Sequence, residues 1–196
     1  MPPGNFAATL VFRPQGSPAE VARFSFVAAL ALNQTLARLS GPHARLAIKW
    51  PNDVLLNGGK VAGILLESIS AGAGVSSLAI GIGVNLAEAP PADTVEPGAV
   101  HPVSLLGETG VRITPEEFLP PLASAFAGLQ ALYEHFGFAP IRSAWLSRAA
   151  RLGERVTART GTETHEGIFD TIDETGAMVL RTSDGLRAIP AADVFF

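Results

Sequence analysis

The chain has 196 residues, of which 47% are hydrophobic and only 16% charged, so it can bury a core and is not expected to be disordered. Its formal net charge is -4, and its 14 Lys and Arg are spread without a cluster, which gives nucleic-acid binding no support. Cysteine is absent, which excludes disulfides, thiolate metal sites and a cysteine nucleophile.

The opening Met1-Pro2-Pro3-Gly4-Asn5 has neither a basic stretch nor an apolar one, so no signal peptide is expected. Asn5 to Arg13 reads as a strand that ends at Pro14-Gln15-Gly16. Ser17-Pro18-Ala19-Glu20 is a capping box with proline at the first helical position, and the helix it opens should run to Leu39, before Ser40-Gly41-Pro42. Apolar residues cover nearly every face of that helix, which predicts burial against a sheet. It holds the longest apolar run, Phe26 to Leu32, far short of the roughly 18–20 residues that span a bilayer. A soluble cytoplasmic protein is expected.

Arg45 to Trp50 alternates like a strand and is closed by Pro51-Asn52-Asp53. Val54-Leu55-Leu56 and Val61 to Ser68 flank Asn57-Gly58-Gly59, a strong hairpin signal because both turn residues tolerate positive φ. Ser76 to Leu86 is a further strand, and Ala87 to Pro102 a Pro-rich loop long enough to carry function. Thr114-Pro115-Glu116-Glu117 opens a second long helix, which should stop at Phe136-Gly137. A shorter helix from Pro140 to Ala149 follows. Beyond Leu152 the pattern changes to short strands, Arg155–Thr160, Thr164–Ile172, Ala177–Thr182 and Gly185–Phe196. The turns between them are Gly161-Thr162, Asp173 to Gly176 and Ser183 to Gly185, the pattern of a small barrel beginning near residue 150.

The densest polar cluster is Lys49-Trp50-Pro51-Asn52-Asp53, with Lys60 beyond the hairpin turn. Antiparallel arms would bring Lys60 near the strand that starts at Asp53. A carboxylate, an amide and an ammonium would then share one region. Such a set suits a phosphate-bearing substrate, Asp53 meeting a cation such as magnesium and Lys60 neutralising developing negative charge. An ordinary surface hairpin with an Asp–Lys pair is the equal alternative. Gly81-Ile82-Gly83-Val84-Asn85 lacks the third glycine and the strand-turn-helix setting of a dinucleotide loop. Its glycines either let a ligand lie against the strand or simply weaken a core strand. His43, His101, His135 and His165 have no ligand spacing, and Ser68, Ser76 and Ser77 no nucleophile elbow. Asp170, Asp173, Glu174 and Asp184 read as turn-formers and Trp145 as a packing residue.

Lys49-Trp50-Pro51-Asn52-Asp53, then Lys60-Val61-Ala62-Gly63-Ile64-Leu65-Leu66-Glu67, then Gly81 to Asn85, closely resembles the biotin-protein ligase family in order and spacing. The resemblance covers essentially the whole chain. It implies an α+β fold: a mixed or antiparallel sheet packed with helices over residues 1–149, of the class II aminoacyl-tRNA synthetase/biotin ligase type, followed by an SH3-like β-barrel over 150–196. It implies that biotin and ATP, with Mg2+, form biotinyl-5'-AMP, and that a lysine of a biotin carboxyl carrier domain, such as that of acetyl-CoA carboxylase, then takes the biotin. By position, Lys60 would contact the biotin carboxylate and the α-phosphate. Gly63, Leu65 and Gly81 would line the biotin pocket. Asn52, Asp53 and Asn85 would face the nucleotide, with Asp53 also at the metal. A homodimer is compatible with the family; a DNA-binding domain and a membrane partner are not expected.

The family pattern also places a strand with biotin contacts and a Gly-Arg-rich loop ahead of the Pro-Gly-Asn segment. This sequence opens on that segment, so the expectation is an N-terminally incomplete catalytic domain with weak or absent activity by itself. A lipoate or octanoate ligase, and a non-catalytic biotin-binding or dimerisation module, are the competing readings.

Overall fold

The computed structural model describes residues 2–71, 74–91, 95–161 and 163–196. Thr162 of the expected Gly161-Thr162 turn, Met1, and residues 92–94 of the expected Pro-rich loop lie outside them. β1 (Phe6–Phe12) is followed by α1 (Pro18–Ala22) and α2 (Phe24–Ser40). The capping box forms as expected, with the Ser17 hydroxyl accepting from Glu20 N and the Glu20 carboxylate from Ser17 N. The expected single helix is divided at Arg23. The physical reason lies in the Glu20 carbonyl, which accepts the Tyr133 hydroxyl at 2.7 Å and the Arg23 amide at 3.2 Å. Both bonds compete with a regular α-helical partner and tighten the turn there.

Four further strands complete the first sheet: β2 (Leu46–Lys49), β3 (Asp53–Leu56), β4 (Gly59–Ala71) and β5 (Gly74–Val84). All pairings are antiparallel and the order is β1-β5-β4-β3-β2. Alternation sends Ala62, Ile64, Leu78, Ile80, Ile82 and Val84 into the core, where β4 packs against α2 and β5 against α1. The opposite face carries Gly63, Leu65, Gly81 and Gly83 and is open. Asn5 ties the start of β1 to the end of β5, its side chain accepting from Ala87 N and Glu88 N and donating to Glu88 O.

The short α3 (Leu105–Thr109) was not expected from the sequence. Five residues are too few to show a period, although Ser104 caps it through Gly107 N and Gly110 ends it at φ 72°. α4 (Pro115–Phe136) starts on its predicted capping box, and α5 (Phe138–Leu146) packs beside it. Among the described residues, no helix is long and apolar enough to cross a membrane.

β6 (Arg155–Arg159), β7 (Thr164–Ile172), β8 (Met178–Thr182), β9 (Gly185–Ile189) and β10 (Asp193–Phe195) form the second sheet, in the order β10-β6-β7-β8-β9. The expected last strand, Gly185–Phe196, is therefore two. Pro190 has no amide to continue a ladder, and the chain crosses from the β8 edge to pair with β6 instead. Strands consecutive in sequence thus lie at opposite edges of the sheet, an SH3-like arrangement.

The two sheets meet through the turn between β7 and β8. Asp173 shapes that turn by accepting from Thr175 N, Thr175 Oγ1 and Ala177 N. Trp50, 2% exposed, donates its indole N–H to the Gly176 carbonyl at 3.0 Å. Gly176 has φ 95°, and a Cβ there would sit 2.8 Å from Phe26 Cε2. Gly176→Ala therefore adds backbone strain to a clash at the seam. We expect it to lower unfolding free energy by about 2–4 kcal/mol in a urea titration.

Candidate active site

The site begins with a turn across Trp50–Asn52 that contains a cis Trp50–Pro51 peptide bond. It delivers Asp53 to the first position of β3, opposite Lys49 on β2 and Gly63 on β4. Between Val54 and Leu55 the β3–β4 register shifts, so that Leu55 faces Lys60 and β4 holds one extra residue. In a regular strand Lys60 and Gly63, three apart, would point to opposite faces. The shift turns Lys60 onto the face of Asp53 and Gly63. The Lys60 ammonium then lies 2.7 Å from Asp53 Oδ1, and the Lys49 ammonium 3.9 Å from Asp53 Oδ2. One carboxylate thus serves two ammonium groups.

Exposure distinguishes the two lysines. The Lys60 side chain is 42% exposed, whereas those of Lys49 and Asp53 are 13% and 15% exposed. Burial pushes the Lys49 pKa down, Asp53 opposes that shift, and the neighbouring Lys60 charge adds to it. The backbone of Lys60 is fixed as well, its amide donating to His101 O and its carbonyl accepting from Val103 N. Asn52 is held by its side chain, Nδ2 donating to Ile64 O at 2.5 Å.

A cavity of about 440 Å³ opens over these groups. Lys49, Asn52, Asp53 and Lys60 form its polar end, and Gly63, Leu65, Gly81 and Gly83 its apolar floor. A smaller pocket of about 180 Å³ continues from the same lysines toward Val95, Glu96 and Val100. Two of the floor glycines, Gly63 and Gly81, are not demanded by the protein's own packing. A Cβ on Gly63 would come no nearer than 3.4 Å to Asp53 and Lys60, and one on Gly81 no nearer than 3.6 Å to Leu65. Both distances are ordinary contacts, so leaving out the side chains keeps space above the sheet open. That observation favours the ligand-contact reading of these glycines over a merely weakened strand.

Of the residues singled out in the sequence, Asn52, Asp53, Lys60, Gly63, Leu65 and Gly81 converge on this cavity. Asn85 lines neither pocket: its side-chain amide donates to Val103 O and its carbonyl accepts from Leu105 N. It fastens the segment behind Lys60. Sequence reasoning missed the contribution of the C-terminal sheet, since Ala192, Asp193 and Val194 of β10 and its approach also line the cavity. No local motif marks them, because only the tertiary fold brings β10 beside β3. Among the described residues no group of three His, Asp or Glu converges as a metal site.

The buried ammonium has a consequence for stability. Folding takes Lys49 out of water, so its folded pKa lies below the unfolded value. The resulting cost is present at neutral pH and relieved as pH rises through the folded pKa toward the unfolded one. The parent should gain stability relative to Lys49→Met over that alkaline window, as measured by urea unfolding at stepped pH; parallel curves would contradict this.

Residues 1–85 match the Biotin/lipoate A/B protein ligase family, and residues 152–196 the Biotin protein ligase C terminal domain. The chain is 64% identical to a biotin--[acetyl-CoA-carboxylase] ligase of Paracoccus denitrificans over 196 residues, all of this chain and 82% of that one. It is 32% identical to the bifunctional ligase/repressor BirA of Bacillus subtilis over 95% of this chain, spanning 56% of that longer relative. In structure it resembles the biotin protein ligase of Aquifex aeolicus, with a TM-score of 0.83, 21% identity, and 97% of this chain and 82% of that one covered. The same Aquifex protein in complex with biotin and ATP aligns with a TM-score of 0.78 at 21% identity, over 97% of this chain and 77% of that one. With that identity spread over its full length, on this fold and around this cavity, the chain belongs to the biotin protein ligase family.

Proposed function

We propose that the chain is an ATP-dependent biotin--[acetyl-CoA-carboxylase] ligase, whose catalytic unit spans residues 1–149 and whose SH3-like unit spans 150–196. The observation that carries this reading is the Lys60 ammonium, held by Asp53 where the apolar glycine floor meets the charged end of the cavity. Biotin's apolar body would lie on Gly63, Leu65 and Gly81, with its carboxylate toward Lys60. The α-phosphate of ATP would enter from the side of Asn52, Lys49 and Lys60.

In the first step the biotin carboxylate attacks the α-phosphorus, the mixed anhydride forms and pyrophosphate leaves. Negative charge builds on the oxygens around phosphorus, and Lys60 stands beside them. In the second step the carrier lysine's neutral amine attacks the acyl carbon, the acyl–oxygen bond breaks, and AMP leaves while the amine loses its proton to solvent. The acceptor is itself a nucleophile, so positioning and charge stabilisation suffice. This fits a cavity whose lining, among the described residues, holds neither a serine nor a histidine. Asn85 takes part indirectly, by fastening the 103–105 segment that backs Lys60.

Asp53 is unsuited to be a resident metal ligand, because both of its oxygens already face ammonium groups. Magnesium enters this reading only as the counter-ion brought by the nucleotide phosphates. The acceptor is the biotin carboxyl carrier domain of a biotin-dependent carboxylase, and the setting is the cytoplasm. Val11 and Ile69, 64% and 68% exposed on the open sheet, are the natural contact for a second copy.

Lys60→Met should lower biotinyl-adenylate formation by about 10²–10³-fold, read as pyrophosphate release, while circular dichroism stays that of the parent. Activity within a few-fold of the parent would refute the role given to Lys60. Isothermal titration of the parent with biotin and with lipoate should show binding of biotin; a preference for lipoate would move the chain to the other branch of its family.

A further inference from the structure

The polar end of the cavity is bounded by a line of charges that alternate in sign and extend into the C-terminal sheet. Arg159, the last residue of β6, donates from Nη1 to Glu96 Oε1 at 2.6 Å and from Nη2 to Glu96 Oε2 at 2.8 Å. Its Nη2 also reaches Asp193 Oδ2 at 3.4 Å, and its guanidinium carbon lies 4.7 Å from the centre of the Phe195 ring. Asp193 in turn shares the cavity wall with Lys49, Asp53 and Lys60, and its charge acts on Lys49. The sequence from outside inward is therefore Glu96, Arg159, Asp193, Lys49, Asp53, Lys60.

Glu96 belongs to the segment 95–100, which closes the smaller pocket over the two lysines. That segment rests directly on β10: a Cβ on Gly98 would sit 3.7 Å from Phe195 Cδ1. Lys49, Lys60 and Arg159 balance Asp53, Glu96 and Asp193, so the rim as a whole is neutral. Without Arg159 it would carry surplus negative charge where a triphosphate has to enter. The fork-to-fork geometry holds Glu96 at both oxygens, which a lysine could not do.

We propose that Arg159 is a positioning residue for ATP, neutralising Glu96 and Asp193 together and fixing segment 95–100 as the outer wall of the nucleotide pocket. The inference rests on the ATP-dependent reading given above. Arg159 and Glu96 are 42% and 51% exposed, so the pair adds little to folding stability. Its effect is on the potential that an incoming polyanion meets at close range.

The test is isothermal titration of the full chain with ATP, at low and high sodium chloride. Arg159→Gln should weaken ATP by about three- to tenfold at low salt, with biotin affinity moved much less. The gap should narrow at high salt, since the Debye length falls from about 10 Å at 0.1 M to about 3 Å at 1 M. Adding Asp193→Asn to Arg159→Gln restores the charge balance and should recover most of the lost affinity, and Arg159→Lys should fall between parent and Arg159→Gln. Unchanged ATP affinity in Arg159→Gln would overturn the proposal. So would a loss that ignores salt and is not rescued by Asp193→Asn, because that pattern describes a merely structural arginine. If the parent itself takes up no ATP, the ATP-dependent function fails first, and its own titration shows that separately.

Discussion

The site depends on one irregularity in a hydrogen-bonded ladder. Had β3 and β4 paired without a register shift, Lys60 would point into the apolar core, where an unpaired ammonium is costly. The extra residue in β4 turns it to the open face, where Asp53 receives it at 2.7 Å. Asp53 is itself tolerable at 15% exposure only because Lys49 and Lys60 flank it. The group of three carries one net positive charge. Asp193 on the same wall offsets that charge, so what the cavity offers a carboxylate beside a phosphate is two ammonium groups already fixed in place.

The same short block of sequence performs a second, structural task. Lys49 and Asp53 face the cavity, while Trp50 between them turns inward and reaches the Gly176 carbonyl of the C-terminal sheet. Arg142 from α5 reinforces that seam by donating to Ile172 O and Thr171 Oγ1. The C-terminal sheet is thereby held close enough for β10 to become part of the cavity wall. Chemistry and docking are set by neighbouring residues, so a change that loosens the seam also moves a wall of the site.

Much of this was legible in the sequence, for identifiable reasons. The capping boxes at Ser17 and Thr114 are local chemistry and form as written. Asn57-Gly58 specifies its hairpin because both residues adopt positive φ, 52° and 91°. The hairpin signal put Lys60 on the strand next to that of Asp53, whereas the register shift that turns its side chain onto the same face left no mark in the sequence. What escaped depends on contacts distant in sequence. The break at Arg23 follows from the Tyr133 hydroxyl, the division of the last strand from the pairing of β10 with β6, and the duty of Asn85 from the position of Val103. Asp193 and Arg159 look like ordinary strand charges until the fold sets one beside Lys49 and the other beside Glu96.

Trp50 and Trp145 are the two tryptophans of the chain. Both are buried, 2% and 0% exposed, and both face the seam, one through its hydrogen bond to Gly176 and the other with its ring centre 6.5 Å from that of Phe169 on β7. Tryptophan emission from the unlabelled protein is consequently an optical signal of how its two sheets are joined. Water reaching the seam would shift that emission to the red before the strands themselves came apart.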